Sequence, residues 1–225
     1  EEVTRKIRTL KYMKTKIPKI IHQLWIGEKP IPDYIKKFTD DMAVVNLDYD
    51  CKVWGNEVFE MYKDDPYLIN YLKKPDVYRW AFICDRIRLL LLRDYGGIYC
   101  DADCKPVQSF DIVLNQLSEN ITFFTGLKPT QANNTLFDCT VYGSTPGARM
   151  IHQLMDTYHD INWANGCKMF SDRIIQEIEG DVACFGYEYF YDSKITDKTI
   201  VLHDVEETRL MSWVWDDEQK RRENW

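Results

Sequence analysis

Two aspartates one residue apart, Asp101 and Asp103, are the side chains whose type and spacing most directly suggest chemistry. They end the run Tyr95-Gly96-Gly97-Ile98-Tyr99-Cys100-Asp101-Ala102-Asp103. In an extended strand, positions i and i+2 face the same side, so both carboxylates would aim together. Carboxylates held close repel, and one is driven neutral unless a cation intervenes. Mg²⁺ and Mn²⁺ prefer such oxygen ligands. The competing reading is an ordinary charged turn. A second charged pair, Asp85 and Arg88, is three residues apart and shares a face if the segment is helical. An intrahelical ion pair explains that spacing equally well.

Several elements must position these groups. Residues 76–95 carry Trp80, Cys84, Ile87, Leu91 and Tyr95 at helical spacing, which predicts a helix packed in the core. Pro75 and Asp76 suit its start, and Gly96 suits the position just past its end. Upstream, Lys19–Ile26 reads as a buried first strand, followed by a Gly/Pro loop to Pro32. A helix is expected over Pro32–Val45 and a strand over Asp50–Trp54. Asn56 is the expected cap of the next helix, and a further helix covers Tyr67–Lys73. Downstream come a helix near Asp111–Leu117, strands at Ile121–Thr125 and Leu136–Tyr142, and an amphipathic helix over Pro146–Tyr158. The last clear strand is Thr199–Leu202. This alternation predicts an α/β fold, Rossmann-like, with a mostly parallel sheet and helices on both faces. Ligands of such folds gather at the C-terminal ends of strands, where Asp101 and Asp103 stand.

With 225 residues and 45% hydrophobic content, the chain can build one sizeable domain, read here as 1–225 with residues 1–16 as a peripheral arm. Its net charge of −7 argues against a nucleic-acid surface. No apolar run is long enough to predict a membrane span. Seven cysteines without paired C-x-x-C spacing read as reduced, which points to the cytoplasm. The chain opens on Glu1, so a preceding signal or anchor segment stays open.

Taken together, Asp85-x-x-Arg88, Tyr95-Gly-Gly-Ile-Tyr99 and Asp101-x-Asp103 resemble the signature of sugar-nucleotide glycosyltransferases with a DxD motif. The opening Ile17-Pro-Lys-Ile-Ile-His-Gln-Leu-Trp-Ile-Gly27 is similar to the first strand of glycosyltransferase family 32. That family includes capsular-polysaccharide and mannosyl-type enzymes, with the clostridial glucosylating toxins more distant. The resemblance implies a GT-A type fold and a metal-dependent, retaining transfer of a hexose from a nucleotide sugar. UDP-hexose, such as UDP-glucose, is the first expectation for the donor and GDP-mannose the second. The acceptor would be a glycan or another hydroxyl compound. The implied catalytic set is Asp85, Arg88, Asp101 and Asp103. Asp103 would bind Mn²⁺ or Mg²⁺ directly, Asp101 would reach ribose and metal, and Asp85 with Arg88 would hold the donor sugar. Leu24, Trp25 and Ile26 match positions along base and ribose, although Trp25 reads equally as core. Ala102 lies within the donor motif. Asn133 and Asn134 match a loop near the sugar, with turn chemistry as the alternative.

The chain's end is expected to close the donor site as a mobile tail over 203–225. His203 would be a third metal ligand, with Ser212 and Trp213 near the diphosphate. The alternative there is a satisfied surface His203 and a buried Trp213. Two other classes compete for the whole chain. An apolar strand ending in Asp-x-Asp also opens haloacid-dehalogenase-type phosphatases, but those carry Thr or Val where Lys105 stands. A catalytically silent sugar-nucleotide-binding domain would keep the fold and lose turnover.

Overall fold

The computed structural model describes residues 15–73, 79–128, 136–157, 166–191 and 195–203. Its centre is a six-stranded sheet in the order β2-β1-β3-β6-β5-β7. The strands are β1 (Ile20–Leu24), β2 (Asp50–Trp54), β3 (Gly97–Cys100), β5 (Phe123–Lys128), β6 (Leu136–Ser144) and β7 (Val182–Phe185). β1 runs parallel to β2 and β3, and β5 runs parallel to β7. β6 lies antiparallel to both β3 and β5. The sheet is therefore mixed yet mostly parallel, as expected: β6 alone runs against the other five strands. The one reversal has a local cause: only seven residues join β5 to β6, and a parallel neighbour would need a crossover of about a dozen or more.

Alternation along the strands feeds two cores. Ile98 and Cys100 of β3, Phe124 of β5 and Val141 of β6 pack on one face. Tyr99, Phe123 and Tyr142 pack on the other. Helix α1 (Asp33–Val45) covers the first face with Met42, beside the single turn α5 (Asp111–Leu114). The second face is covered by α2 (Val58–Tyr62), α3 (Pro66–Leu72), α4 (Arg79–Tyr95), α6 (Arg149–Thr157) and α7 (Gly166–Glu177). The predicted stripe of α6 is the buried one: Met150, Ile151, Leu154 and Met155. In α4 the predicted stripe differs from the buried face: Tyr95 is exposed at the helix end, while Phe82, Ile83, Leu89, Leu90 and Leu92 are buried besides Ile87 and Leu91. A helix held between a sheet and other helices is buried on more than one face, and here the buried Arg86 and Arg88 share that surface with the apolar residues. The predicted start of α4 at Pro75 and Asp76 lies outside the described residues.

Asn56 does not cap α2. Its side chain instead makes two bonds with the backbone of Gly27, each 2.9 Å, and so ties β2's end to β1's end. Asp65 is the working cap nearby, accepting from the N–H groups of Tyr67 and Leu68 at 3.1 Å.

The corner between α4 and β3 needs its glycines. Gly96 (φ 63°) ends the helix by donating to Leu92 O, and Gly97 (φ 95°) begins the strand. A Cβ on Gly97 would stand 2.6 Å from the carbonyl oxygen of Ile20. His22 of β1 latches this corner. Its Nε2 donates to Gly96 O at 2.9 Å, while its Nδ1 accepts from Trp54 Nε1 at 3.1 Å. One acceptor and one donor require the neutral ring. Burial, the largest influence, holds its pKa below the usual value. The unfolded chain thus binds a proton on His22 more readily than the native chain does. The latch is fully present above about pH 6.5 and weakens as pH falls below that value toward the lowered native pKa. The stability advantage of wild type over His22→Gln, from urea unfolding at pH 7.5 and 5.5, should therefore narrow in acid. An advantage that is constant or grows would show that the ring is not held neutral.

Candidate active site

β3 delivers its acids through a turn rather than an extended end. The strand stops at Cys100, and Cys104 N–H donates to Asp101 O at 3.1 Å. The expected i, i+2 strand geometry is corrected on this point, yet the turn still brings both carboxylates to one place. Asp101 is anchored through its backbone, whose N–H donates to Thr140 O of β6 at 3.0 Å. Its side chain is anchored too. Tyr99 Oη donates to Asp101 Oδ1 at 2.6 Å, and Arg88 Nη1 lies 3.6 Å from the same oxygen. Both holds fall on Oδ1.

The third group arrives from the far end of the described chain. β4 (Lys105–Pro106) pairs antiparallel with β8 (Val201–Leu202), with Lys105 opposite Leu202. Continued by one residue, this register sets His203 opposite Cys104. His203 Nε2 stands 3.6 Å from Asp103 Oδ1. One ligand atom from each of Asp101, Asp103 and His203 lies within 4.8 Å of the others. Two carboxylate oxygens and one imidazole nitrogen form a donor set suited to Mn²⁺-type ions, with room for substrate oxygens. Burial pushes the Asp101 carboxyl above its usual range. Arg88 pulls it back, the like charge of Asp103 raises it, and His203 and Tyr99 lower it. A cation would relieve the repulsion between the acids, so the residues present fit a divalent metal.

Asp85 and Arg88 meet on one face of α4, as their spacing predicts. Arg88 Nη2 donates to Asp85 Oδ1, and Arg88 Nη1 donates to Cys139 O at 2.8 Å. The Arg88 side chain is only 6% exposed, so its guanidinium grips Asp85 and the acid turn from beneath. Leu24 and Ile26 are buried in the core, Trp25 is half-buried with its Nε1 donating to Lys29 O, and Ala102 is buried in the turn. Asn133, Asn134, Ser212 and Trp213 lie outside the described residues. Tyr99 was missed from the sequence, although period-two alternation puts it on the side of Asp101. Thr140 and Tyr191, which also border the site, left no signal that sequence reasoning could use.

The mixed sheet with the acid turn at its centre is a GT-A type glycosyltransferase architecture. Residues 1–180 match the capsular polysaccharide synthesis protein family, and the chain belongs to that family. Among solved structures it is similar to the PaToxG glycosyltransferase, with a TM-score of 0.57 and 22% identity over 78% of this chain and 77% of that one. It is also similar to a glycosyltransferase involved in glycosylating the major capsid of PBCV-1. There the TM-score is 0.52 and the identity 10%, over 84% of this chain and 94% of that one. No curated protein sequence matches the chain. Among the described residues no helix is long and apolar enough to cross a membrane.

Proposed function

We propose that the protein is a metal-dependent glycosyltransferase that moves a hexose from a nucleoside-diphosphate sugar to a hydroxyl of a growing polysaccharide. The observation that carries this reading is the convergence of Asp101, Asp103 and His203 at the C-terminal edge of β3. The reaction breaks the bond between the anomeric carbon and the diphosphate oxygen, and forms one from that carbon to the acceptor oxygen. Asp101, Asp103 and His203 would hold a divalent cation, Mn²⁺ before Mg²⁺, which offsets the charge growing on the leaving diphosphate. The chain's own residues orient the parts. Arg88 and Tyr99 fix Oδ1 of Asp101 and leave its other oxygen for the site. Asp85, braced by Arg88, is placed to accept from donor-sugar hydroxyls. Trp25, half-buried beyond the end of β1, would border the nucleotide base. We keep UDP-hexose as first donor, GDP-mannose as second, and retention as the stereochemical outcome.

The test is hydrolysis and transfer across a panel of nucleotide sugars with Mn²⁺ or Mg²⁺, with and without EDTA. The expected result is metal-dependent release of the nucleotide, faster in Mn²⁺, since an imidazole ligand suits Mn²⁺ better than Mg²⁺. His203→Ala should remove that preference along with most of the rate. Turnover of simple phosphomonoesters with none of nucleotide sugars would overturn the reading in favour of a phosphatase. Donor binding without turnover on any acceptor would favour a silent binding domain.

A further inference from the structure

His203 stands on a two-residue ribbon, and such a short element does not by itself fix an imidazole. A second connection reaches it from the main sheet. Thr140 of β6 is buried, and its carbonyl already holds the Asp101 N–H at 3.0 Å. Its hydroxyl makes a 2.9 Å hydrogen bond with Tyr191 Oη. The ring of Tyr191 then packs edge-on against the imidazole of His203, with centroids 5.4 Å apart and planes at 62°. Lys128 of β5 lies over the Tyr191 ring, its Nζ 5.0 Å from the centroid. The backbone of Tyr191 is pinned where its N–H donates to Tyr187 O at 2.8 Å. One threonine therefore touches both halves of the cluster: the acid turn through its carbonyl, and the imidazole through tyrosine.

We infer that Thr140 and Tyr191 form a brace that sets the distance between the acid turn and His203, and that both are positioning residues for metal binding. This inference rests on the proposed metal site. Neither residue touches the ion or the donor. Their effect is to make three groups from distant parts of the chain one preorganised site. Groups behind a ligand of this kind typically change metal affinity by about 10–100-fold when removed. The brace acts through ring packing rather than a bond to the ligand, so the lower end applies.

The experiment titrates the full chain with Mn²⁺ alone and counts the free ion by electron paramagnetic resonance. Thr140→Val keeps the shape and the carbonyl and removes the hydroxyl; Tyr191→Phe keeps the ring and removes the same bond. Each should weaken Mn²⁺ binding about tenfold. Thr140→Ser should restore it, and the double variant should lose no more than either single, since one hydrogen bond is being removed. A second readout needs no metal. The chain has four histidines, and the His203 Cε1–H resonance is the one absent from His203→Ala. In both brace variants that resonance should move toward the position of an exposed histidine and gain mobility. A merely structural role would lower the melting temperature and leave Mn²⁺ affinity and that resonance unchanged, which overturns the inference. If His203→Ala itself binds Mn²⁺ like wild type, the metal site fails and the brace fails with it. If His203→Ala weakens binding while both brace variants bind normally, only the brace is overturned.

Discussion

Asp103→Ala is expected to cut transfer in Mn²⁺ by roughly 10²–10³-fold and to leave the metal-free fold at least as stable as wild type. The loss follows from removing one of the three proposed metal ligands, and with it part of the hold on the cation that would offset the leaving diphosphate. A deficit of about 3–4 kcal/mol corresponds to roughly 10²–10³-fold in kcat/KM. The stability follows from what Asp103 does without metal. It sits on a partly exposed turn, and its approach to His203, at 3.6 Å, is too long for a hydrogen bond. It also raises the Asp101 carboxyl by like-charge repulsion. Deleting it relieves that repulsion. Steady-state kinetics with a nucleotide sugar and a thermal melt in EDTA measure the two halves. Near-normal turnover in Mn²⁺ would sink the site assignment.

Asp65→Ala costs the fold about 3–5 kcal/mol, because it strands a buried guanidinium. Arg86 on α4 reaches Asp65 through Nε at 3.2 Å and Nη2 at 2.9 Å, and donates through Nη1 to Met155 O on α6 at 3.2 Å. Its guanidinium lies 4.4 Å from the Tyr67 ring centroid. The two side chains are 5% and 10% exposed, so water screens little of the pair. Asp65 also caps α3, and losing that cap adds about 1 kcal/mol. The double change Asp65→Ser with Arg86→Met should cost less than Asp65→Ala alone, since serine keeps a cap and no charge is left buried. Urea unfolding of the three variants decides it. A loss below about 1 kcal/mol for Asp65→Ala would mean that Arg86 finds solvent by a small shift.

Much of this was legible because local patterns survive into the fold. The β1, α1, β2 and α6 segments form where they were expected, α6 with its predicted apolar stripe buried, and Gly96 ends α4 where a glycine was expected. Asp85, Arg88, Asp101 and Asp103 were legible as a constellation; the structure joins Asp85 and Asp101 through Arg88 and sets Asp103 beside Asp101. The strand end at His203 was legible as well, but its partner was not. A two-residue strand containing Pro106 carries no alternation to recognise, and its pairing joins Lys105 to the distant Leu202. Asn56 shows the reverse error. A good capping residue stood in a capping place, and tertiary structure spent its amide on Gly27 instead. The Thr140–Tyr191 brace is a contact between distant segments, which local spacing does not encode.

The pairing of β4 with β8 also sets an order in time. His203 follows Asp103 by 100 positions (203 − 103), and the ribbon that joins them needs residue 202. At about 5–20 residues per second, the acid turn leaves the ribosome roughly 5–20 s before the imidazole that completes its cluster. A nascent or prematurely ended chain therefore carries the aspartates without their third partner. If the proposed function holds, catalysis would wait until residue 203 has been made, and a shorter chain would not consume donor sugar.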